Sequence, residues 1–180
     1  MRKMFAILTA LTLAALSCPV LAFEPNVNDP MELDVQRAII NIKKADPGIE
    51  TFFDNAAGYA VFPSVGKGGI VIGGAYGKGL VIVDEKVDGY TSLSQATIGL
   101  QLGGQKYAQF IFFRDETAIG HFRRGNFEFN AQASAVAITA GASADAAYDS
   151  GVAVFTHAAG GLMFEASIGG QRFKYTPKED

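Results

Sequence analysis

From Ser64 to Thr176 the chain runs 113 residues without a proline. Proline cannot donate to a β-ladder and is kept out of central strands, so this interval has the texture of a sheet. Paired glycines punctuate it at Gly68-Gly69, Gly73-Gly74, Gly103-Gly104, Gly160-Gly161 and Gly169-Gly170, where they read as hairpin turns or strand bends. Asp88-Gly89 is a further hairpin signal. The intervening β-prone runs predict strands near 59–62, 69–76, 79–84, 90–102, 105–113, 127–140, 151–157, 161–168 and 171–175. Phe127, Phe129, Ala131, Ala133 and Ala135 alternate with Glu128, Asn130, Gln132 and Ser134, the period of a half-buried strand.

Helical patterning comes before the sheet. Asp29 suits an N-cap, Pro30 the first helical position, and Glu32 the third residue after the cap. Met31, Val35, Ala38, Ile39 and Ile42 then form one apolar stripe, with Lys43 and Lys44 near the end where cations suit the helix dipole. Asp46-Pro47-Gly48 stops this helix and opens a second, carried by Ile49, Phe52, Phe53 and Ala56 and ended at Gly58. A short inserted helix is expected over Asp115 to Arg124, with Ile119 and Phe122 inward and Gly125 as its stop. The expected fold is α+β and mainly β. It is a single domain with an antiparallel barrel-like or sandwich core, two N-terminal helices and one short inserted helix.

The first 22 residues read as a signal peptide. Arg2 and Lys3 precede an apolar run over Met4 to Leu16, and Val20 and Ala22 occupy the −3 and −1 positions of a cleavage site. The domain is then 23–180, periplasmic or secreted. The alternative is a lipoprotein anchored through Cys18, because Ala15-Leu16-Ser17-Cys18 partly matches a lipobox. Cleavage after Ala22 removes the chain's one Cys, so a disulfide framework is ruled out and core burial must hold the fold. It also leaves 13 basic against 18 acidic residues, which argues against a nucleic-acid partner. A terminal Lys178-Glu179-Asp180 and irregular strand lengths argue against an outer-membrane barrel.

Catalytic signals are weak. Gly66-Lys67-Gly68-Gly69 and Gly77-Lys78-Gly79 complete no dinucleotide fingerprint or P-loop, and strands rather than a helix follow them. Gly141-Ala142-Ser143-Ala144-Asp145 departs from the hydrolase elbow at its last position, with His121 and His157 as the available bases. The two histidines stand 36 positions apart, without zinc spacing, and Asp145 with Asp149 reads as a solvated loop. No cofactor, metal or catalytic residue is expected.

Basic residues beside apolar ones are the remaining signal. Lys67 and Lys78 flank the apolar segment Gly69–Tyr76, and Arg37, Lys43 and Lys44 decorate the first helix. Cations near an anionic lipid surface contribute roughly 1 kcal/mol each. These five residues are the candidate lipid-binding set; packing and solvation are the simpler account of them.

Several segments resemble the SYLF domain family, in order along the chain. They are Gly58-Tyr59-Ala60-Val61-Phe62-Pro63-Ser64-Val65, Lys67-Gly68-Gly69, Gly73-Gly74-Ala75-Tyr76-Gly77-Lys78-Gly79, Tyr90-Thr91-Ser92-Leu93, Ile98 to Gln105, Phe110-Ile111-Phe112-Phe113, Ala133 to Ala137, and Gly161-Leu162-Met163. The resemblance implies a non-enzymatic module that binds anionic lipids, phosphoinositides in eukaryotic members, with actin binding in the yeast branch. An exported protein meets neither phosphoinositide nor actin in its own cell, so the expected partner is a lipid or membrane surface. The alternative is a structural or oligomeric envelope protein without a small ligand.

Overall fold

The computed structural model describes residues 23–69, 72–98, 105–125, 127–129, 134–158 and 166–179. The expected signal peptide, Cys18, and most of the strand expected over 161–168 lie outside the described residues.

Helix α1 spans Pro30–Ala45. The Asp29 carboxylate caps it by accepting the Met31 N–H at 2.8 Å. Glu32 does not close a capping box. It is buried, accepts the Asn26 N–H at 2.7 Å and holds Lys178 Nζ at 2.9 Å. Asp46 ends α1 and caps a single 3-10 turn over Pro47–Ile49, which runs into α2, Glu50–Asn55. Gly58 lies beyond α2 and opens the first strand instead of closing the helix. The inserted helix α3 spans Glu116–Arg123, with Ile119 and Phe122 fully buried and Gly125 at φ +70° as its stop.

The strands are β1 Gly58–Gly69, β2 Ile72–Val83, β3 Lys86–Ile98, β4 Gln105–Phe113, β5 Ser134–Ala137, β6 Val152–Ala158, β7 Ala166–Ser167 and β8 Arg172–Pro177. They form one sheet in the order β7-β5-β6-β4-β1-β2-β3-β8. Its two ends approach each other. Glu128, just before β5, bridges to Arg172 of β8, and Phe129 exchanges backbone hydrogen bonds with Gln171 and Gly170. The result is a single curled, barrel-like sheet and not a pair of sheets. It is also mixed: β5 runs parallel to β6, because the connection over residues 138–151 crosses back before β6 begins.

Two of the expected turns are strand interior. Gly73-Gly74 and Gly77-Lys78-Gly79 all lie within β2, so the runs 69–76 and 79–84 are not separated by a turn. Pro63 occupies a bulge in β1, where the register slips between Val61 and Ser64. Opposite that bulge, a Cβ on Gly79 would fall on the Val61 carbonyl oxygen, so the glycine serves close backbone approach. The β2–β3 hairpin turns at Asp84-Glu85, both at positive φ, and not at Asp88-Gly89. Asp88 is instead the extra residue where the register slips between Val81 and Ile82. There its carboxylate takes the Arg123 guanidinium and the Tyr175 hydroxyl, at 2.8 Å to each.

Alternation divides the sheet into two packed faces. The inner face carries Phe62, Val65, Leu93, Tyr107, Ile111, Phe113 and Phe173 and is closed by Ile119 and Phe122 of α3. The outer face carries Val61, Leu80, Ile82, Phe110, Phe112 and Phe155. Val35, Ile39 and Ile42 of α1 cover it together with Ile49 and Phe52. Aromatic rings lock both layers: Phe52 meets Phe155 at 4.7 Å between centroids, and Phe113 meets Phe122 at 5.0 Å.

Candidate functional site

The helices cover only one end of the outer face. Toward the other end, ladder register aligns residues across the strands, and directly opposed residues share a face. One row reads Lys106, Gly66, Tyr76, Ser94 and Arg172. The next reads Ser64, Lys78, Ser92 and Lys174. Between them, Tyr107, Val65, Gly77, Leu93 and Phe173 point inward and are buried. Both outer rows face solvent, and Tyr76 is 55% exposed.

The two rows contain four cations and no carboxylate. Strands lie about 4.8 Å apart, so Lys78 and Lys174, two strands apart, sit about 10 Å from each other. Arg172 is partnered by Glu128 at 3.2 Å. Lys78, Lys106 and Lys174 have no ion-pair partner among the described residues. The face is therefore an uncovered basic surface around a protruding tyrosine.

Of the expected site residues, Lys78 belongs to this surface, though it sits in mid-strand and not beside a turn. Lys67 does not. It opposes Ala75 and Gln105 on the inner face and is half-buried. Lys43 is also elsewhere: it is bound to Glu50 at 2.8 Å, lies 4.6 Å over the Phe53 ring, and shares a recess with Asp54, Asp84 and Glu85. Lys44 is exposed near the same end of α1. Arg37 is exposed and paired with Asp34 at 3.0 Å, on the stretch of α1 that borders the basic surface through a cleft shared with Lys106.

Lys106, Arg172 and Lys174 were absent from the sequence expectation. Their signal was available in strand parity, because Lys106 precedes buried Tyr107 and Phe173 separates Arg172 from Lys174. What the chain order hides is that β4, β2 and β8 place these cations on one face.

The residues considered for catalysis stand on separate elements. Ser143 is buried in the 3-10 turn Ala142–Asp145, His121 is exposed on α3, and His157 lies on β6. Among the described residues, no group of three or more His, Cys, Asp or Glu side chains converges as a metal site. Among them, too, no helix is long and apolar enough to cross a membrane.

The inner face holds a polar cluster. Fully buried Gln109 and Gln171 exchange side-chain hydrogen bonds at 2.8 and 3.2 Å. Burial pushes the neighbouring Tyr107 hydroxyl up to about 12, against a hydrogen bond with Gln171. This cluster ties β4 to the start of β8 through the barrel interior.

Residues 94–179 match the family model described as Las17-binding protein actin regulator, Ysc84. Beta cell expansion factor A of Aeromonas veronii is 30% identical over 138 residues, which cover 76% of this chain and 52% of that protein. The chain thus spans about half the length of that relative. The matched segment runs from late β3 through β8 and includes Lys106, Arg172 and Lys174, and over it the chain is similar to the Ysc84, or SYLF, domain family.

Proposed function

We propose that this protein is an exported, non-enzymatic module that docks on anionic membrane surfaces through the bare basic end of its sheet. The observation that carries this reading is the convergence of Lys78, Lys106, Arg172 and Lys174 on one uncovered face around exposed Tyr76. A cation near an anionic leaflet contributes about 1 kcal/mol, so the three unpaired lysines supply about 3 kcal/mol. Tyr76 adds an amphipathic ring of the kind that settles at the headgroup level. Similarity to a lipid- and actin-related family supports a lipid partner. The proposal of export rests on the basic, apolar and small-residue order of residues 1–22.

Co-sedimentation with phosphatidylglycerol vesicles tests it. Wild-type protein should bind at low salt and release as salt rises, with little binding to phosphatidylcholine alone. Lys78→Glu/Lys174→Glu should weaken binding by about 30-fold or more, since two contributions of about 1 kcal/mol are removed and reversed. Lys67→Glu, on the inner face, should change it far less. Salt-insensitive binding, or equal loss with Lys67→Glu, would refute the site. No binding at all would favour a structural envelope protein without a small ligand.

A further inference from the structure

Between α1 and the outer face of the sheet, a cleft of about 380 Å³ opens beside the basic surface. Ligand pockets start near this size, at roughly 300 Å³. Its helix wall is Asp34, Arg37 and Asn41, one face of α1 at spacings of three and four. Its sheet wall is Ser64, Lys106 and His157. The sheet residues share the outer face: Lys106 lies two positions from Ala108, which opposes His157 across β4 and β6.

We propose that this cleft binds a phosphate monoester, as the headgroup site of the membrane-docking surface. The reading rests on the proposed docking for the source of the phosphate, but its chemistry stands on the cleft alone. Five donor-bearing side chains converge there: Arg37, Asn41, Ser64, Lys106 and His157. Two are cationic, against one carboxylate, Asp34. That carboxylate takes Arg37 Nη1 at 3.0 Å and leaves the rest of the guanidinium fork free to bind. Lys106 has no ion-pair partner among the described residues. His157 lines the sheet wall, and its Nδ1 is buried without a hydrogen-bond partner among the described residues.

The donor count selects the ligand. A carboxylate offers two oxygens, whereas a phosphate monoester offers three acceptor oxygens and close to two charges. A diester in a lipid headgroup carries one charge and fewer free oxygens. The cleft therefore favours a terminal phosphate, either on a lipid at the membrane surface or on a small soluble ester. Lys106 belongs both to the cleft and to the bare face, so a lipid phosphate in the cleft would lie next to the docked surface.

The experiment compares phosphatidic acid with phosphatidylglycerol in phosphatidylcholine vesicles matched for surface potential. Calorimetry with sn-glycerol 3-phosphate is run in parallel. Wild-type protein should prefer phosphatidic acid by about tenfold or more, the scale of one charge-assisted hydrogen bond. Arg37→Gln/Asn41→Leu changes two exposed helix positions and should abolish that preference, with phosphatidylglycerol binding reduced by no more than about fivefold, the share of one cation. Lys78→Glu/Lys174→Glu should weaken both vesicle types and leave glycerol 3-phosphate binding unchanged. If neither vesicle type binds but glycerol 3-phosphate does, and Arg37→Gln/Asn41→Leu removes it, the docking reading fails and the cleft holds a soluble phosphate ester. Equal binding of both lipids together with no glycerol 3-phosphate binding would overturn the proposal. So would a preference unaffected by both Arg37→Gln/Asn41→Leu and Ser64→Ala.

Discussion

Asp46 joins segments 97 residues apart, and its removal should cost a large share of the domain's stability. The residue is 1% exposed. One carboxylate oxygen accepts the Gly48 N–H at 3.1 Å, and the other accepts the Ser143 N–H at 2.7 Å. The first bond caps the turn into α2; the second pins the connection that lets β5 run parallel to β6. In Asp46→Ala the cap is lost, at about 1 kcal/mol. The buried Ser143 N–H also loses a charged acceptor, at about 1.5–3 kcal/mol. The expected total is about 2.5–4 kcal/mol, a large fraction of the stability of a domain this size. Urea denaturation followed by far-UV circular dichroism measures it, with an unchanged m-value showing that the fold itself is retained. A loss below about 1 kcal/mol would mean that water or neighbouring carbonyls replace the carboxylate, and the pinning argument would be wrong.

The same residue sets a pH dependence. Burial alone would raise the Asp46 carboxyl, but the backbone donors of Ser143 and Gly48 outweigh it and hold the group below its ordinary value. A depressed folded-state pKa contributes stability that is fully present above the unfolded value and is lost as pH falls through the folded one. Wild-type stability should therefore decline at acid pH, and Asp46→Asn should be less stable near neutrality with a flatter acid limb. A parallel acid decline in both proteins would assign the effect to other carboxylates.

Gly79→Ala places a methyl group on the Val61 carbonyl, so β1 and β2 must separate at the bulge. The expected cost is at least about 1–3 kcal/mol by thermal melting, while Gly66→Ala, with nothing within 4 Å of its Cβ, should stay within about 0.5 kcal/mol. Similar melting of the two variants would refute the close-approach reading. Glu32 is 2% exposed and binds both Asn26 N–H and Lys178 Nζ, so Lys178→Met strands a buried carboxylate. A double-mutant cycle with Glu32→Gln should give a coupling above about 0.5 kcal/mol, and a smaller value would mean that solvent replaces Lys178.

Elements with a local cause could be read directly from the chain. Asp29-Pro30 starts α1, the Val35–Ile42 stripe marks its buried face, and Gly125 stops α3. The errors arose where a distant strand determines the local geometry. Gly77 and Gly79 resemble turn residues, yet their lack of a side chain answers a bulge in β1. Asp88-Gly89 has the composition of a hairpin, but Gly89 is required because a Cβ there would strike the Tyr175 ring of β8. The true turn, Asp84-Glu85, lacks glycine and is held at positive φ by the pairing of Val83 with Lys86. Lys67 and Lys78 are eleven positions apart in the sequence, and the register that sets Lys67 against Ala75 and Lys78 against Ser64 decides that they point to opposite faces.

The distribution of charge reconciles an acidic chain with an anionic target. Its formal net charge is −3, so long-range attraction to a lipid surface is weak for the molecule as a whole. The charges are separated along the strands. Glu50, Asp54, Asp84 and Glu85 gather at the hairpin end of β2, where Lys43 answers only part of them. Eight residues away along the same strand stands Tyr76, with Lys78, Lys106, Arg172 and Lys174 around it. At about 3.3 Å per residue that is about 26 Å, several Debye lengths at physiological salt, so near the membrane each end acts almost independently. An anionic surface then attracts the basic end and repels the hairpin end, and the molecule approaches end-on. Inverting the acidic end with Asp84→Lys/Glu85→Lys should raise affinity at low ionic strength only and relax this orientation. An equal gain at high salt would show that the hairpin end touches the membrane, which the end-on arrangement forbids.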